Sequence, residues 1–225
     1  MRVILFGGTG MVGQGVLREC VEDAGVESVL LVVRKATGTR AAKATELVHE
    51  DFFDWAGVEE HFAGYDACFF CLGVSAVGMN EAEYRRVTYD LTVGVAEMLV
   101  KVGAVKTFVY VSGQGTNAGG RQMWARVKGA TENALMAMPF AQVFCFRPGY
   151  IQPMDGVRSK VGWYNGIYAA LSWMYPALKR VFPGMVTSTM ELGRAMIAVA
   201  RRGYPTRVIE TKDIGLLAAV RGSQS

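Results

Sequence analysis

The stretch VILFGGTGMVGQGV (residues 3–16) constrains this chain more than any other. A short apolar run, RVILF (2–6), is stopped by glycines, and a helical pattern follows. A run of that length suits a strand buried on both faces. Gly8, Gly10 and Gly13 satisfy G-x-G-x-x-G, and Gly7, Gly10 and Gly13 fit a second register, G-x-x-G-x-x-G. With Thr9, Met11 and Val12 between them, these glycines permit a tight turn and let the backbone approach a pyrophosphate. The helix after the turn presents free N–H groups and a positive dipole end to that anion. Gly13 lets the helix lie close to the sheet. The glycines alone are a weak signal; the strand before and the helix after them give it weight.

The alternation continues. SVLLVV (28–33), DACFFCL (66–72), TFVYVS (107–112) and AQVFCF (141–146) read as further buried strands, and TELVHED (45–51) as a weaker one. Helical patterns over 11–24, 81–102 and 121–138 lie between them. Asn80 is a good N-cap with Glu83 three residues on, and Gly103 suits the end of that helix. This order predicts right-handed βαβ units in an α/β, Rossmann-type doubly wound parallel sheet. After residue 150 the pattern changes to helices over about 162–180 and 189–202 around Pro183-Gly184, then a short strand, TRVIE (206–210). We expect one domain over 1–225. Its nucleotide-binding core spans 1–150, and 151–225 supplies a small, largely helical substrate-side subregion.

The second strand ends in VVRKATG. About 20 residues past the glycine turn, an acidic side chain would bind the ribose 2′-hydroxyl of NAD. Arg34 and Lys35 stand there instead, which suits the 2′-phosphate of NADP. NADP(H) is therefore expected over NAD(H), with Asp51 bordering the adenine edge.

The charge is uneven: residues 1–150 carry 14 Lys+Arg against 16 Asp+Glu, and residues 151–225 carry 10 against 4. The basic last third suits a solvated surface, an anionic substrate or an anionic membrane surface. No long basic run or nucleic-acid motif accompanies it, so no nucleic-acid partner is expected. Arg2 is followed by only four apolar residues before the glycines, which does not read as a signal peptide. Cys68 and Cys71 have redox-motif spacing but lie in a strand, where residues three apart point to opposite faces. With Cys20 and Cys145 they read as buried thiols rather than a redox or metal pair, and no metal is expected. The compartment expected from these features is the cytoplasm. His49 and His61 read as structural or surface residues.

Taken in order, GGTGMVG after the first strand, CLG (71–73), YVSGQG (110–115), VKG (127–129) and RPG (147–149) resemble the short-chain dehydrogenase/reductase superfamily. The match is to its extended and atypical, NAD-dependent epimerase/dehydratase-like branch. It covers residues 1–150 well and 187–212 loosely. The resemblance implies that Leu72 and Gly73 line the adenosine side. It implies that Ser112 hydrogen-bonds a substrate carbonyl or hydroxyl, that Lys128 holds the nicotinamide ribose and that Pro148 and Gly149 border the nicotinamide. The family's catalytic tyrosine belongs four residues before the lysine, and position 124 is Trp.

Residues four apart on a helix share a face, so Trp124 should face what Lys128 faces. An indole can wall a pocket but cannot deliver a proton. Tyr150, directly after Pro148-Gly149, is the best replacement acid, ahead of Tyr84 and Tyr89. VGWYNGIYAALSWMYPAL (161–178) has no charged residue and five Trp or Tyr residues. It reads as a helix over the cleft or in a homodimer interface, and less readily as one lying in a membrane surface. The expectation is an NADP(H)-binding oxidoreductase or epimerase-like enzyme for a small carbonyl or hydroxyl substrate. Its alternative is a non-catalytic NADP(H)-binding sensor or scaffold.

Overall fold

The computed structural model describes residues 1–154, 180 and 184–219. Among them the strands are β1 (Arg2–Phe6), β2 (Ser28–Val33), β3 (Ala44–Val48), β4 (Ala67–Phe70), β5 (Thr107–Val111), β6 (Gln142–Arg147), β7 (Tyr150–Gln152), β8 (Val186–Ser188) and β9 (Val208–Glu210). The helices are α1 (Met11–Glu22), α2 (Glu81–Arg85), α3 (Leu91–Lys101), α4 (Met123–Ala137), α5 (Thr189–Arg202) and α6 (Thr211–Ala219). Seven strands form one sheet in the order β3-β2-β1-β4-β5-β6-β9, and every pairing in it is parallel. This is the Rossmann arrangement read from the sequence. The order reverses between β1 and β4, which puts the switch point beside the glycine turn.

Alternation along each strand divides the core. Val3 and Leu5 join Leu31, Val109 and Phe146 on the face covered by α1, α5 and α6. Ile4 and Phe6 join Phe70, Phe108 and Tyr110 on the face covered by α3 and α4. Phe6 sits in an aromatic group with Phe52, Trp55, Phe62 and Phe70 at ring separations of 5.6–6.4 Å. β3 is an edge strand and is only half-buried, which explains its weaker sequence signal.

α1 and α5 pack closely because glycines stand at their contact. A Cβ on Gly15 would lie 2.5 Å from Thr189 Cβ, and one on Gly193 would lie 2.9 Å from Glu19 Cβ. Two ion pairs tie the same helices, Glu19–Arg194 at 2.8 Å and Asp23–Arg201. Part of the positive charge of the last third is therefore committed to α1 rather than to a free basic surface.

The 81–102 region is not one regular helix. Asn80 caps α2: its side chain accepts from the Glu83 N–H, and the Glu83 carboxylate accepts from the Asn80 N–H. A π-helical turn, Arg86–Asp90, then joins α2 to α3. β7 and β8 pair with each other outside the main sheet. The aromatic stretch 161–178 lies outside the described residues. No helix among those described is long and apolar enough to cross a membrane.

Candidate active site

In a parallel sheet all strands end on the same edge, so the glycine turn, Leu72, Ser112 and Pro148 are brought to one side of the molecule. The turn itself is tight. Gly7 has φ +80°, and the Gly10 N–H donates to Gly7 O at 2.9 Å. A Cβ on Gly7 would lie 2.7 Å from Cys71 C and Leu72 N, so the turn presses on the chain leaving β4. A Cβ on Gly8 would lie 2.2 Å from Leu31 Cδ1, and one on Gly13 would lie 2.1 Å from Gly7 O. No side chain caps Gly10 at the start of α1, and its first turn holds no acidic residue. The first intrahelical bond runs from Gln14 N–H to Gly10 O, so the amides of Met11, Val12 and Gly13 precede it. Thr9 O accepts from the Gln14 side chain. This turn fits a dinucleotide pyrophosphate: its glycines let it pack against β4, Leu31 and the start of α1, and an anion would complete the helix end.

Arg34 and Lys35 are exposed just past β2. Asp51 is exposed past β3, with one carboxylate oxygen accepting from the Phe53 N–H at 2.9 Å. Leu72 is half-buried, and Gly73 is exposed with nothing within 4 Å of where a Cβ would stand.

Trp124, Lys128 and Ser112 come together at the end of β5. Lys128 Nζ donates to Ser112 O at 3.0 Å and to Val111 O at 3.4 Å, and lies 5.5 Å from the Tyr110 ring centre. Trp124, one turn earlier on α4, packs over the next residues of the loop. A methyl group on Gly115 would touch its indole at 3.5 Å, and one on Gly113 at 3.9 Å. Burial lowers the Lys128 pKa to about 8, against an opposing pull from Glu132 one turn on. Glu132 is itself buried and grips Arg147, with Arg147 Nε donating to Oε1 at 3.0 Å.

Ser112 is buried, and its Oγ lies 3.0 Å from Thr116 Oγ1. Thr116 has a single hydroxyl proton and donates it to Gly113 O at 2.8 Å. Ser112 must then be the donor to Thr116, which leaves its own lone pairs available.

Pro148 is buried and Gly149 half-buried. A Cβ on Gly149 would lie 2.3 Å from Met185 O and 2.5 Å from Gln114 Oε1, so this turn also needs glycine for close approach. The Tyr150 hydroxyl donates to Gln152 Oε1 at 2.9 Å along β7. Hydrogen bonds thus join Lys128 to the Ser112 backbone and the Tyr150 hydroxyl to Gln152. Tyr84 and Tyr110 are buried, and burial raises both phenols. Sequence reading missed Thr116, Gln114 and the Glu132–Arg147 pair; the i,i+4 spacing of Glu132 from Lys128 was a usable signal for the last.

The four cysteines are free; Cys20, Cys68 and Cys145 are buried and Cys71 half-buried. Burial pushes the Cys20 thiol up to about 12 and the others higher still. Among the described residues no cluster of three or more His, Cys, Asp or Glu side chains could hold a metal ion.

A family model described as NAD(P)H-binding matches residues 7–141. The chain belongs to this NAD(P)H-binding family. Solved structures with a similar fold include epimerases and enzymes bound to NAD. The UDP-N-acetylglucosamine 4-epimerase from Bacillus cereus superposes with a TM-score of 0.69 at 12% identity, covering 93% of this chain and 78% of that one. The Bordetella bronchiseptica enzyme WbmG, in complex with NAD, gives 0.65 at 16% identity over 99% and 79%. Among curated proteins, "Protein FMP52, mitochondrial" of Eremothecium gossypii is 25% identical over 223 residues, 98% of each chain. The Aspergillus fumigatus protein of that name is 30% identical over 156 residues, 66% of each. These names overturn the expected cytoplasmic location: the FMP52 relatives are named mitochondrial. Buried thiols could not distinguish the compartments, because a thiol sealed in a core stays reduced wherever the protein resides.

Proposed function

We propose that this protein is an NADP(H)-dependent oxidoreductase or epimerase-like enzyme acting on a small carbonyl or hydroxyl compound. The observation that carries the reading is the convergence of Lys128 and Ser112 at the end of β5, on the sheet edge that bears the glycine turn. Bound there, the cofactor supplies or accepts a hydride. The protein's own groups do the rest. Gly7 to Gly13 take the pyrophosphate, and Arg34 and Lys35 meet the 2′-phosphate. Leu72 and Gly73 line the adenosine side, with Asp51 at the adenine edge. Lys128 holds the ribose hydroxyls, Pro148 and Gly149 border the nicotinamide, and Trp124 excludes water. Ser112 offers its lone pairs to a substrate hydroxyl. The FMP52 names support a mitochondrial setting.

A second reading is supported by Trp124, which sets an indole one turn before Lys128, where the resemblance expects the catalytic tyrosine. It is a non-catalytic NADP(H)-binding sensor or scaffold. Cofactor consumption with a panel of aldehydes, ketones, alcohols and nucleotide sugars separates the two. Turnover supports the enzyme; tight NADPH binding with no turnover supports the sensor. Replacing Arg34 and Lys35 by alanine should weaken NADPH about tenfold or more while leaving NADH nearly unchanged. Equal affinity of the unaltered protein for both cofactors would remove the NADP assignment.

A further inference from the structure

The loop that carries Arg34 and Lys35 is held by one carboxylate. Glu46 lies on edge strand β3, opposite Leu31 of β2. Paired residues on neighbouring parallel strands project to the same face, and Leu31 belongs to the face covered by α1. Gly8 of the phosphate turn meets Leu31 on that face. Glu46 therefore projects to the α1 face of the sheet.

From there it gathers the loop beyond Lys35. The Thr37 N–H donates to both carboxylate oxygens, at 3.1 and 3.3 Å, and the Thr37 hydroxyl donates to Oε1. The Thr39 N–H reaches Oε1 at 3.4 Å and Thr37 Oγ1 at 3.2 Å. Gly38 between them has φ +68°, the left-handed conformation that folds successive N–H groups around an anion. All these donors are uncharged. The ion pairs among the described residues involve neither Arg34 nor Lys35, which remain exposed.

We propose that Glu46 is the positioning residue of the 2′-phosphate subsite: it anchors the Thr37–Thr39 turn and so holds the adjoining Arg34–Lys35 pair at the end of β2. The inference rests on the NADP(H) reading. Its physical basis is the entropy of long cationic side chains on an exposed loop. A pair of cations binds phosphate well only if the backbone beneath it is fixed beforehand. A carboxylate near a phosphate site would ordinarily oppose the ligand. Here the carboxylate forms no ion pair with either cation among the described residues, and the amide and hydroxyl donors of the turn stabilise its charge where it stands.

The test is binding of NADPH and NADH to the full chain by isothermal titration calorimetry, beside its melting temperature. Glu46→Gln should weaken NADPH about tenfold, leave NADH within about twofold and leave the melting temperature nearly unchanged. Thr37→Val should do the same from the other side of the contact. The double variant should lose less than the sum of the two single losses, because both weaken the same Glu46–Thr37 contact. Four outcomes would overturn the proposal while the unaltered protein still prefers NADPH. They are unchanged affinities in Glu46→Gln, equal losses for both cofactors, tighter NADPH binding, or additive losses in the double variant. No preference in the unaltered protein would instead overturn the NADP(H) reading, and this proposal with it.

Discussion

Lys128 is an ammonium with two backbone carbonyls and, among the described residues, no carboxylate in contact, held where burial disfavours its charge. Its pKa of about 8 in the folded protein lies below the ordinary lysine value of 10.5. Between those two values the unfolded chain binds a proton that the native protein does not, so this group makes stability rise with pH across that window. Below pH 8 the native state carries the full cost of the buried charge. Lys128→Met should therefore show its most favourable stability relative to the parent near neutral pH. That difference should shrink from about pH 8 to 10.5 in thermal melts. A pH-independent difference would show that the ammonium is effectively solvated. Trp124 makes a second prediction at this scale. If it stands beside the nicotinamide, NADPH should quench its fluorescence and Trp124→Phe should remove most of that signal, with Trp55, Trp163 and Trp173 as background. Trp124→Tyr restores a phenol one turn before Lys128 and should raise carbonyl reduction; unchanged signal and turnover would make position 124 plain packing. The shared face of these two residues was legible, because i,i+4 geometry is local. The bond between Tyr150 and Gln152 was not, since both the strand and its pairing with β8 depend on residues more than thirty positions away.

At the scale of elements, glycines in helices divide by what surrounds them. Gly15 on α1 faces Thr189 at a distance no Cβ tolerates, whereas Gly94 on α3 has nothing within 4 Å. Gly15→Ala should lower stability by about 1–3 kcal/mol through overpacking. Gly94→Ala should raise it by about 0.5–1 kcal/mol through helix propensity and a stiffer unfolded chain. Chemical denaturation of the two variants checks both signs. The strand at 28–33 and the helix at 189–202 were read with the observed limits, because each is a sustained pattern bounded by a clear signal. The π-turn at Arg86–Asp90 escaped, since one extra residue per turn leaves the apolar spacing almost unchanged. β7 and β8, with three residues each, are too short to show a period. α6 was also missed: it follows β9 without a break and carries Gly215 in its middle.

At the scale of the molecule, parallel strands explain why a site assembled from distant segments could be anticipated. Each strand ends on the same edge, so residues just past the ends of β1, β4, β5 and β6 must be neighbours once the sheet order is known. The last third was harder to read. Its strand β9 completes the main sheet beside β6, and α5 and α6 cover α1's side of it. This placement also sets a timetable. The outer side of α1, near the beginning of the chain, stays bare until Arg194 and Arg201 have been made and brought back to Glu19 and Asp23. Those partners are separated by 175 and 178 residues. A nascent chain leaving the ribosome, or one threaded through a narrow passage from its N-terminus, thus carries an unsealed apolar surface for nearly its whole length. Folding is therefore expected to be completed late, with that surface open to holding chaperones until the final segments arrive.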